Sequence, residues 1–587
     1  MPRPPPSRPL SHGEALELAA LAAGEARRLQ AQDLVQQVHV GLGNPGEAVV
    51  TFVTWTRNLS SEVWYSEGAE PLPDGSGTKT AAGEVATYTT VVCPTGGDLR
   101  SSHMGPRHPV SSEDLALRVN SSAVLPKSSG GYVYLPKASQ AWDHLDQGCI
   151  RYANPLAYYQ SPYVHTALLT GLKPRTTYSY GPKASPRHFT FRTPPAPGPL
   201  HEQPRGDEPF KIGVWADVGL TNISWASMKQ VKDADTELVL LVGDYSYADG
   251  WSARWDIFGT LMEPLMASVA TLGVPGNHEI SSGFHQGVDW RFRYPVPFRE
   301  SGSDSPLWYS YDSGPVHVLG LVGSYAPTGP ESAQYHYAAE DLARVDRTRT
   351  PWLVVQFHTP WYNSNKHHYE SGYKHQQDME DLFYSYGVDL VFNGHIHSYE
   401  RSHPVFKNKV DPCGTVHVVV GDAGNYEGPA LPWLEPQPPW SAVRESSFGS
   451  GVLTVFNATH AEWAWRRVAC VQRGEPNGGK PWWYASSLDG NVSCSTEGDN
   501  SQQASFQSDV IVVVRDVETC PNHAMPGAPE DASWWSWALI GCALFMAAAG
   551  VTFLLAMSAS KSLRKKKRSN PASDEESDTE LTSQGLD

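Results

Sequence analysis

The sequence predicts an N-terminal all-β sandwich, a larger α/β (α+β) domain and a single C-terminal transmembrane helix. Three observations support this fold class. Short β-branched and aromatic runs fill the chain before residue 195, and strand-like runs alternate with helical segments after residue 210. A charge-free apolar stretch then runs from Trp534 to Met557. The apolar fraction of 40%, with 51 glycines, is typical of a globular chain.

The predicted sandwich covers residues 36–195. The runs VHVGL and AVVTFVTW are separated by the turn signal GNPGE, and YVHTALLTGL, TTYSYGP and RHFTFRT follow later. Between about 66 and 131 the composition changes to Gly, Ser, Pro and Asp, which predicts a long insertion. In the segment before the sandwich, 1–35, the signal peptide is predicted to be weak or absent, because the apolar stretch is short and interrupted by Glu17.

A proline-rich stretch at 196–209 predicts a linker, and residues 210–520 follow it as the second domain. In this domain the runs FKIGVWAD, ELVLLVGD, PWLVVQFH and VDLVFNGH each end in a polar residue. Helical segments such as SARWDIFGTLMEPLMASVA lie between them. Ligand-binding side chains are expected just beyond the carboxyl ends of such strands.

The chain end predicts membrane attachment. A juxtamembrane linker at 521–533 leads into the transmembrane helix 534–557, and a basic then acidic tail occupies 558–587. The basic run KSLRKKKR places this tail in the cytoplasm by the positive-inside rule. The preceding domains are then extracellular or lumenal. A truncated start, or a tail-anchored chain that faces the cytosol, would also account for the weak signal, but the positive-inside charge opposes the second.

Cysteines and glycosylation sequons agree with an oxidising compartment. Six of the seven cysteines precede the predicted span, which is the even number that disulfide pairing requires. All sequons also precede it, at Asn58, Asn120, Asn222, Asn457 and Asn491. The net charge of -17 excludes a broad nucleic-acid partner, which needs a basic surface.

Polar residues at the ends of the predicted strands form a consistent set of metal ligands. They are Asp217, Asp244, Tyr247, Asn277, His358, His395 and His397. Oxygen and imidazole ligands without a thiolate favour Fe, Mn or Zn. Two such coordination spheres that share a carboxylate would bind a phosphoryl group between two ions.

The order of these motifs resembles a known signature. The series ADVG, GDYSY, GNHE, VQFH and GHIH resembles that of the metallophosphoesterases and, within them, the purple acid phosphatases. Tyr247 stands at the spacing by which that family supplies a phenolate. The resemblance covers about residues 36–520, and it implies that the N-terminal domain is similar to the fibronectin-III-like sandwich of the large plant-type enzymes. One departure is Ala216, where the family has glycine.

The resemblance implies a role for each site residue. A ferric ion would be held by Asp217, Asp244, Tyr247 and His397. A second divalent ion (Zn, Mn or Fe) would be held by Asp244, Asn277, His358 and His395. His278 and His368 would face the substrate and assist the leaving group, with His367 as the adjacent alternative to His368. The remaining candidates, interpreted as structural, are His165, His317, His336, His403, His417 and His460.

The implied function is that of an acid phosphatase. Metal-activated hydroxide at an Fe(III)–M(II) centre would hydrolyse small phosphate monoesters. Two alternatives remain: a phosphodiesterase or nucleotide-sugar hydrolase of the same fold, and a non-catalytic surface receptor or adhesion protein. The complete ligand set argues against the second alternative, whereas the shape of the pocket separates the first from a phosphatase.

Overall fold

The computed structural model describes residues 34–70, 77–91, 158–248, 252–280, 287–472, 492–495 and 507–520. Several predictions therefore lie outside the described residues: nearly all of segment 1–35, the juxtamembrane linker 521–533, the span 534–557, the tail 558–587 and the sequons at Asn120 and Asn491. Among the helices that are described, none combines the length and the apolar character needed to cross a membrane.

The N-terminal region consists of two antiparallel four-stranded sheets, in the orders β1-β2-β8-β5 and β10-β9-β3-β4. Its strands are β1 (Gln36–Leu42), β2 (Ala48–Thr54), β3 (Val63–Glu67), β4 (Lys79–Ala81), β5 (Gly83–Ala86), β6 (Thr89–Val91), β7 (Tyr158–Gln160), β8 (Tyr163–Leu169), β9 (Thr177–Pro182) and β10 (Phe189–Arg192). Strands β6 and β7 form a separate pair. Apolar side chains of both sheets, such as Phe52 and Tyr180, share one hydrophobic core. The prediction of β structure before residue 195 is confirmed.

Most of the predicted insertion at 66–131 lies outside the described residues, namely 71–76 and 92–131, and a correction is needed only within 79–86. Strand β4 pairs with β3, and β5 pairs with β8, so residues 79–86 belong to the two sheets. The composition of this stretch is poor in β-branched residues, and strands of three or four residues at a sheet edge give no clear alternation. Backbone hydrogen bonds to β3 and β8 therefore stabilise these short strands, although their local β propensity is low.

Two larger sheets follow residue 209. The six-stranded sheet has the order β13-β12-β11-β23-β24-β27, and the seven-stranded sheet has the order β14-β15-β16-β17-β21-β18-β22. The strands of this region are β11 (Phe210–Trp215), β12 (Leu238–Val242), β13 (Thr271–Val274), β14 (Trp308–Ser313), β15 (Val316–Leu321), β16 (Trp352–Gln356), β17 (Leu390–Asn393), β18 (Tyr399–Ser402), β19 (Val405–Phe406), β20 (Lys409–Val410), β21 (Val416–Val420), β22 (Ser441–Glu445), β23 (Gly449–Val455), β24 (His460–Arg467), β25 (Ala469–Gln472), β26 (Val492–Ser495) and β27 (Gln507–Val514).

Six helices lie between the described strands of these sheets. They are α1 (Asn222–Asp233), α2 (Ala253–Met266), α3 (Asn277–Ile280), α4 (Val288–Arg293), α5 (Ala333–Arg344) and α6 (Tyr373–Ser385), with short 3-10 turns at Leu200–Glu202 and Gly323–Tyr325. Helices α1, α2, α5 and α6 each connect two neighbouring parallel strands. Strands β11, β12 and β13 run parallel, as do β15, β16, β17 and β21. The carboxyl ends of neighbouring parallel strands lie at the same edge of a sheet, and the predicted site residues follow these ends.

The N-terminal region packs directly on the second one. Arg175 donates to both carboxylate oxygens of Glu237, at 3.0 and 2.8 Å, and both side chains are buried. The Tyr180 hydroxyl donates to the carbonyl of Ala267 at 2.7 Å. Within the predicted linker 196–209, Leu200 is buried and Gly198 N–H donates to Gly314 at 2.9 Å. The first part of the linker is therefore packed against the second region, whereas most residues from 201 to 208 are exposed.

One disulfide joins distant parts of the chain. Cys413, which precedes β21, is bonded to Cys520, 107 residues later. Two other cysteines, Cys470 and Cys494, occupy opposite positions in the β25–β26 pair.

Candidate metal centre

Most of the predicted ligands stand on strained turns directly after strands. Asp217, Asp244, Tyr247 and His395 all have left-handed backbone conformations, with φ of 57°, 54°, 51° and 70°. Non-glycine residues rarely adopt this conformation, and such strain collects at functional sites. The turns point side chains from several strands toward one place.

Glycines beside these ligands leave space for them. A Cβ at Gly243 would lie 2.5 Å from His358 Nδ1, one at Gly276 would lie 2.1 Å from Asp244 Oδ1, and one at Gly394 would lie 2.4 Å from Asp217 Oδ2. Gly243 also has a left-handed φ of 86°. Of the three positions, only residue 243 requires glycine for its backbone conformation. All three require glycine because a ligand side chain lies where a Cβ would be.

Asp217, Tyr247 and His397 form the first group of ligands. The Tyr247 hydroxyl donates to Asp217 Oδ1 at 2.8 Å and lies 2.8 Å from His397 Nε2. His397 Nε2 is 3.3 Å from the same carboxylate oxygen. All three side chains are buried. Three potential ligand atoms therefore meet within hydrogen-bonding distance.

Asp244, Asn277, His358 and His395 form the second group. His358 Nε2 lies 2.9 Å from Asp244 Oδ2, and His395 Nδ1 lies 2.8 Å from Asn277 Oδ1. The ligand atoms of Asp244, His358 and His395 all lie within 4.8 Å of one another. His358 Nε2 is also 4.0 Å from Asp217 Oδ1, which brings the two groups together.

The donor set fits metal ions. The buried Nε2 of His358 has no aligned hydrogen-bond partner, although a carboxylate oxygen lies 2.9 Å away, and this is expected of two atoms that share a cation. The other ring nitrogen, Nδ1, is 2.8 Å from the Val242 carbonyl, which orients the imidazole. The residues present can therefore hold two ions.

Electrostatics also favour a cation at this place. Burial alone would lower the pKa of His358, but Asp244 and Asp217 outweigh it and raise this pKa to about 9. Burial, followed by Asp217 and Asp244, raises the pKa of Tyr247 well above its ordinary value. A phenolate at Tyr247 therefore requires a strongly acidic metal ion, which inverts the local charge balance.

Three residues that the sequence analysis did not assign support the ligands. Glu279 is buried and accepts the backbone N–H groups of Asp244, Tyr245 and Gly276 at 2.8, 3.0 and 2.9 Å. Asn425 donates its backbone and side-chain N–H groups to the Asp217 carbonyl. The Tyr325 hydroxyl lies 3.1 Å from Asn277 Oδ1. Glu279 is the last residue of the motif GNHE, and its place in this motif is the sequence feature from which its role could have been predicted.

The substrate-side histidines border the same centre. The His278 ring lies 4.0 Å from the Tyr247 ring, and its backbone N–H donates to Asp244 Oδ1 at 2.9 Å. His368 lies 4.5 Å from the His395 ring and 4.1 Å from the His367 ring. Both His367 and His368 are exposed. The three predicted catalytic histidines and the seven predicted ligands are thus brought together.

Ala216 is accommodated without displacing Asp217. Its side chain is completely buried, and its carbonyl accepts the Ala423 N–H at 3.1 Å. A Cβ at Gly394 would lie 2.7 Å from the Ala216 methyl, so alanine fits here because residue 394 is glycine. Among the sequons, Asn58 and Asn457 are exposed, and Asn222 is the first residue of α1.

Comparison with known proteins places this geometry in a family. The model named Calcineurin-like phosphoesterase matches residues 210–399, and Iron/zinc purple acid phosphatase-like protein C matches residues 414–473. Purple acid phosphatase 21 of Arabidopsis thaliana is 41% identical over 314 residues, which are 53% of this chain and 69% of that protein. The chain belongs to the purple acid phosphatase family. Purple acid phosphatase 18 of the same plant is 38% identical over 346 residues, 58% of this chain and 76% of that protein.

A solved purple acid phosphatase shares the fold. The structure of PPD1 from yellow lupin (Lupinus luteus) seeds aligns with a TM-score of 0.57 at 19% identity, over 82% of this chain and 75% of that one. Membership of the purple acid phosphatases makes this chain an enzyme for metal-dependent hydrolysis of phosphate monoesters, with the binuclear centre of its family. Neither the phosphodiesterase nor the receptor alternative is favoured.

Proposed function

We propose that this purple acid phosphatase holds a ferric ion and a second divalent ion (Zn, Mn or Fe), and that it acts on small phosphate monoesters at acid pH. The observation that carries the proposal is the convergence of seven predicted ligands from several strand ends into two adjoining groups. Asp217, Tyr247 and His397 would hold the ferric ion together with Asp244. Asn277, His358 and His395 would bind the second ion, which Asp244 would share with the ferric ion.

The chemistry of the two groups supports this assignment. A phenol and two carboxylates are hard oxygen donors suited to Fe(III), whereas two imidazoles and an amide suit a divalent ion. Asp244 is the candidate bridging group, because its Oδ2 lies 2.9 Å from His358 Nε2, and this nitrogen lies 4.0 Å from Asp217 Oδ1 of the first group. When bound, the two ions supply a nucleophilic water at acid pH and neutralise phosphoryl charge.

The histidines of the chain would bind the phosphoryl group and move the proton. His278 and His368, which border the metal centre, would donate hydrogen bonds to its oxygens. The pKa of His368 is lowered to about 4, first by partial desolvation and then by the charges of His367 and His397. Its proton is therefore available to the leaving group mainly at acid pH. His367 is the alternative donor, and its pKa is also lowered by desolvation.

The test compares substrates and one ligand variant. The purified chain should hydrolyse p-nitrophenyl phosphate near about pH 5 and prefer it over bis(p-nitrophenyl) phosphate. Asp244→Asn should lower kcat by roughly 100-fold or more and release metal, because the bridging charge is lost. Asp389→Asn is the matched control: Asp389 is a buried carboxylate paired with Arg347, so this variant should be less stable but retain its metal. Unchanged activity in Asp244→Asn, or preference for the diester, would contradict the proposal.

We also infer a fibronectin-III-like sandwich for the N-terminal region and a membrane anchor at residues 534–557. Two antiparallel four-stranded sheets support the first inference. A charge-free stretch followed by KSLRKKKR supports the second and orients the enzyme toward the lumen or the outside. The sequons Asn58 and Asn457 are exposed, as glycosylation requires.

Protease protection tests this orientation. Protease added to sealed microsomes should remove the tail 558–587 and leave the phosphatase domain intact until detergent is added. Degradation of the domain in sealed microsomes would exclude a lumenal enzyme.

A further inference from the structure

A cavity of about 190 Å³ lies where the N-terminal region meets the second region. One part of its wall comes from the turn between β1 and β2, and another comes from the loop between β8 and β9. The segment that follows β10 and the strand β14 provide the rest. Four prolines and the side chains of Leu42, Leu172 and Phe191 line the cavity. Ligand sites in proteins occur preferentially at such junctions and have such apolar walls.

The volume of the cavity limits the size of its occupant. A buried apolar cavity of about 150 Å³ is large enough to bind benzene. Sites for drug-sized ligands are larger, at about 300–1,000 Å³. The cavity of about 190 Å³ therefore fits one ring, or a branched alkyl group, with a short polar extension.

Tyr311 on β14 supplies the first polar group of the cavity. Its side chain is only 7% exposed, yet its hydroxyl has no hydrogen-bond partner among the residues that the structure describes. Buried hydroxyls are normally paired, as those of Tyr180 and Tyr309 are with backbone carbonyls. Burial, followed by the charges of Asp312 and Glu47, raises the pKa of Tyr311, so its hydroxyl stays protonated. This hydroxyl is available to a ligand in the cavity.

Glu47, in the turn between β1 and β2, supplies the second polar group. Its Oε2 accepts the backbone and side-chain N–H groups of Asn44 at 2.9 and 3.0 Å, which orient the carboxylate. Within the described chain its Oε1 has no hydrogen-bond partner. Lys173 is the other charged residue among those described around the cavity, and its ammonium is already paired with Glu67 at 2.7 Å. The cavity therefore carries a negative charge that no neighbouring cation neutralises.

We propose that this cavity is a binding site for a small primary ammonium ion with an aromatic or branched apolar body. The ammonium group donates hydrogen bonds to Glu47 Oε1 and to the Tyr311 hydroxyl, and the apolar body packs against the lining side chains. Glu47 repels a carboxylate ligand of the same size, and a neutral ligand lacks the charge-assisted hydrogen bond. None of the described residues around the cavity is a predicted metal ligand, so the proposal does not depend on the phosphatase function.

The experiment is a calorimetric titration of the full chain with 2-phenylethylamine at about pH 7. We expect a Kd of about 0.1–1 mM, as for a ligand with few atoms. Glu47→Gln and Tyr311→Phe should each raise the Kd roughly tenfold, because each removes one hydrogen bond to the ammonium. Ala196→Phe fills the cavity and should abolish binding. The anion 3-phenylpropionate, which has a similar size and the opposite charge, should not bind.

Glu62→Gln is the matched control. Glu62 is a partly exposed glutamate of the same N-terminal region that is paired with Lys183 at 3.3 Å and does not line the cavity. Its Kd should equal that of the wild type. The Tyr311→Phe and Ala196→Phe variants test the site even if Glu47→Gln fails to fold. Absence of binding to the wild type, an unchanged Kd in the cavity variants, or equal binding of 3-phenylpropionate overturns the proposal.

Discussion

Asp217, Asp244 and His395 adopt backbone conformations that cost a non-glycine residue about 1–3 kcal/mol each. The surrounding hydrogen bonds offset this strain: Glu279 accepts the Asp244 N–H, and Asp217 Oδ2 accepts the His395 N–H at 2.8 Å. The identity and order of the ligands could be predicted from the motifs. Their left-handed turns could not, because aspartate and histidine adopt this conformation more often than most residues but still rarely, so residue type does not specify it at a given position.

Glu279 and Asn425 show why supporting residues are harder to predict than ligands. Each acts by bonding backbone groups of a ligand turn rather than by supplying a ligand. Tyr325 lies 48 positions from the Asn277 side chain that it contacts. Such partners depend on which strand ends become neighbours, and this information is tertiary.

Tyr325→Phe tests one of these supports. The variant loses the Tyr325 hydroxyl, which lies 3.1 Å from Asn277 Oδ1. This hydroxyl also accepts a hydrogen bond from the Thr359 hydroxyl at 2.6 Å. We expect the divalent ion to bind about 10-fold more weakly, in the range found when outer-shell partners of ligands are removed. Titration of the chelated enzyme with Zn²⁺, followed by calorimetry, measures this.

Tyr384→Phe is the control for this variant, because the Tyr384 hydroxyl bonds Asp411 at 3.2 Å, on a different part of the chain. Equal zinc affinity in Tyr325→Phe and wild type would show that the hydroxyl has no role in positioning Asn277.

At the scale of elements, hydrophobic pattern was a good guide to long strands and a poor one to short ones. Strands β11, β12 and β16 are completely or almost completely buried apolar runs, and the sequence predicts each of them. The late strands β23, β24 and β27 form half of the six-stranded sheet, in which β23 pairs with β11. Strands β4 and β5 have few buried side chains, so their pattern resembles a loop.

The β14–β15 hairpin contains a buried charged cluster with a predictable pH response. His317 Nδ1 lies 2.6 Å from Asp312 and its Nε2 lies 2.8 Å from Asp341, which Arg344 also approaches. Burial lowers the pKa of His317, but the two carboxylates outweigh it and raise the pKa from 6.5 to about 9. The stabilisation, about 3 kcal/mol, is fully present below pH 6.5 and is lost as the pH rises through about 9.

The stability of His317→Gln should therefore decrease less than that of the wild type as the pH rises into the alkaline range. Thermal unfolding between pH 6 and 10 should show a smaller fall in Tm for this variant than for the wild type. His336→Gln, a substitution at an exposed histidine, serves as the control and should follow the wild type. Parallel Tm curves for His317→Gln and wild type would contradict the raised pKa.

At the scale of the whole molecule, one large hydrophobic cluster connects the four larger sheets, and a second cluster lies around Phe357 and Phe383. Side chains of both N-terminal sheets and of both later sheets belong to the same hydrophobic cluster. The buried Arg175–Glu237 pair and the Cys413–Cys520 disulfide connect parts that are distant in sequence. Composition could predict a proline-rich connection, but not the contacts of its first part, such as that of Gly198 with Gly314, because these partners are distant in sequence.

The acidity of the chain is compatible with an enzyme for anions. The net charge of -17 is spread over 587 residues, whereas the centre gathers histidines and metal ligands in one place. Bound cations dominate the field in their own surroundings. At acid pH the 22 histidines, which are neutral in that sum, also become more positive. The negative net charge therefore favours solubility and opposes binding of nucleic acid, but it does not oppose binding of phosphate at the metal centre.

The metal content of the purified chain, measured together with its visible absorption spectrum, tests the proposed iron-containing binuclear centre. We expect about two metal ions per chain, one of them iron, and a tyrosinate–Fe(III) band that disappears in Tyr247→Phe. A chain that binds fewer than two ions, or one whose band survives in Tyr247→Phe, would contradict it.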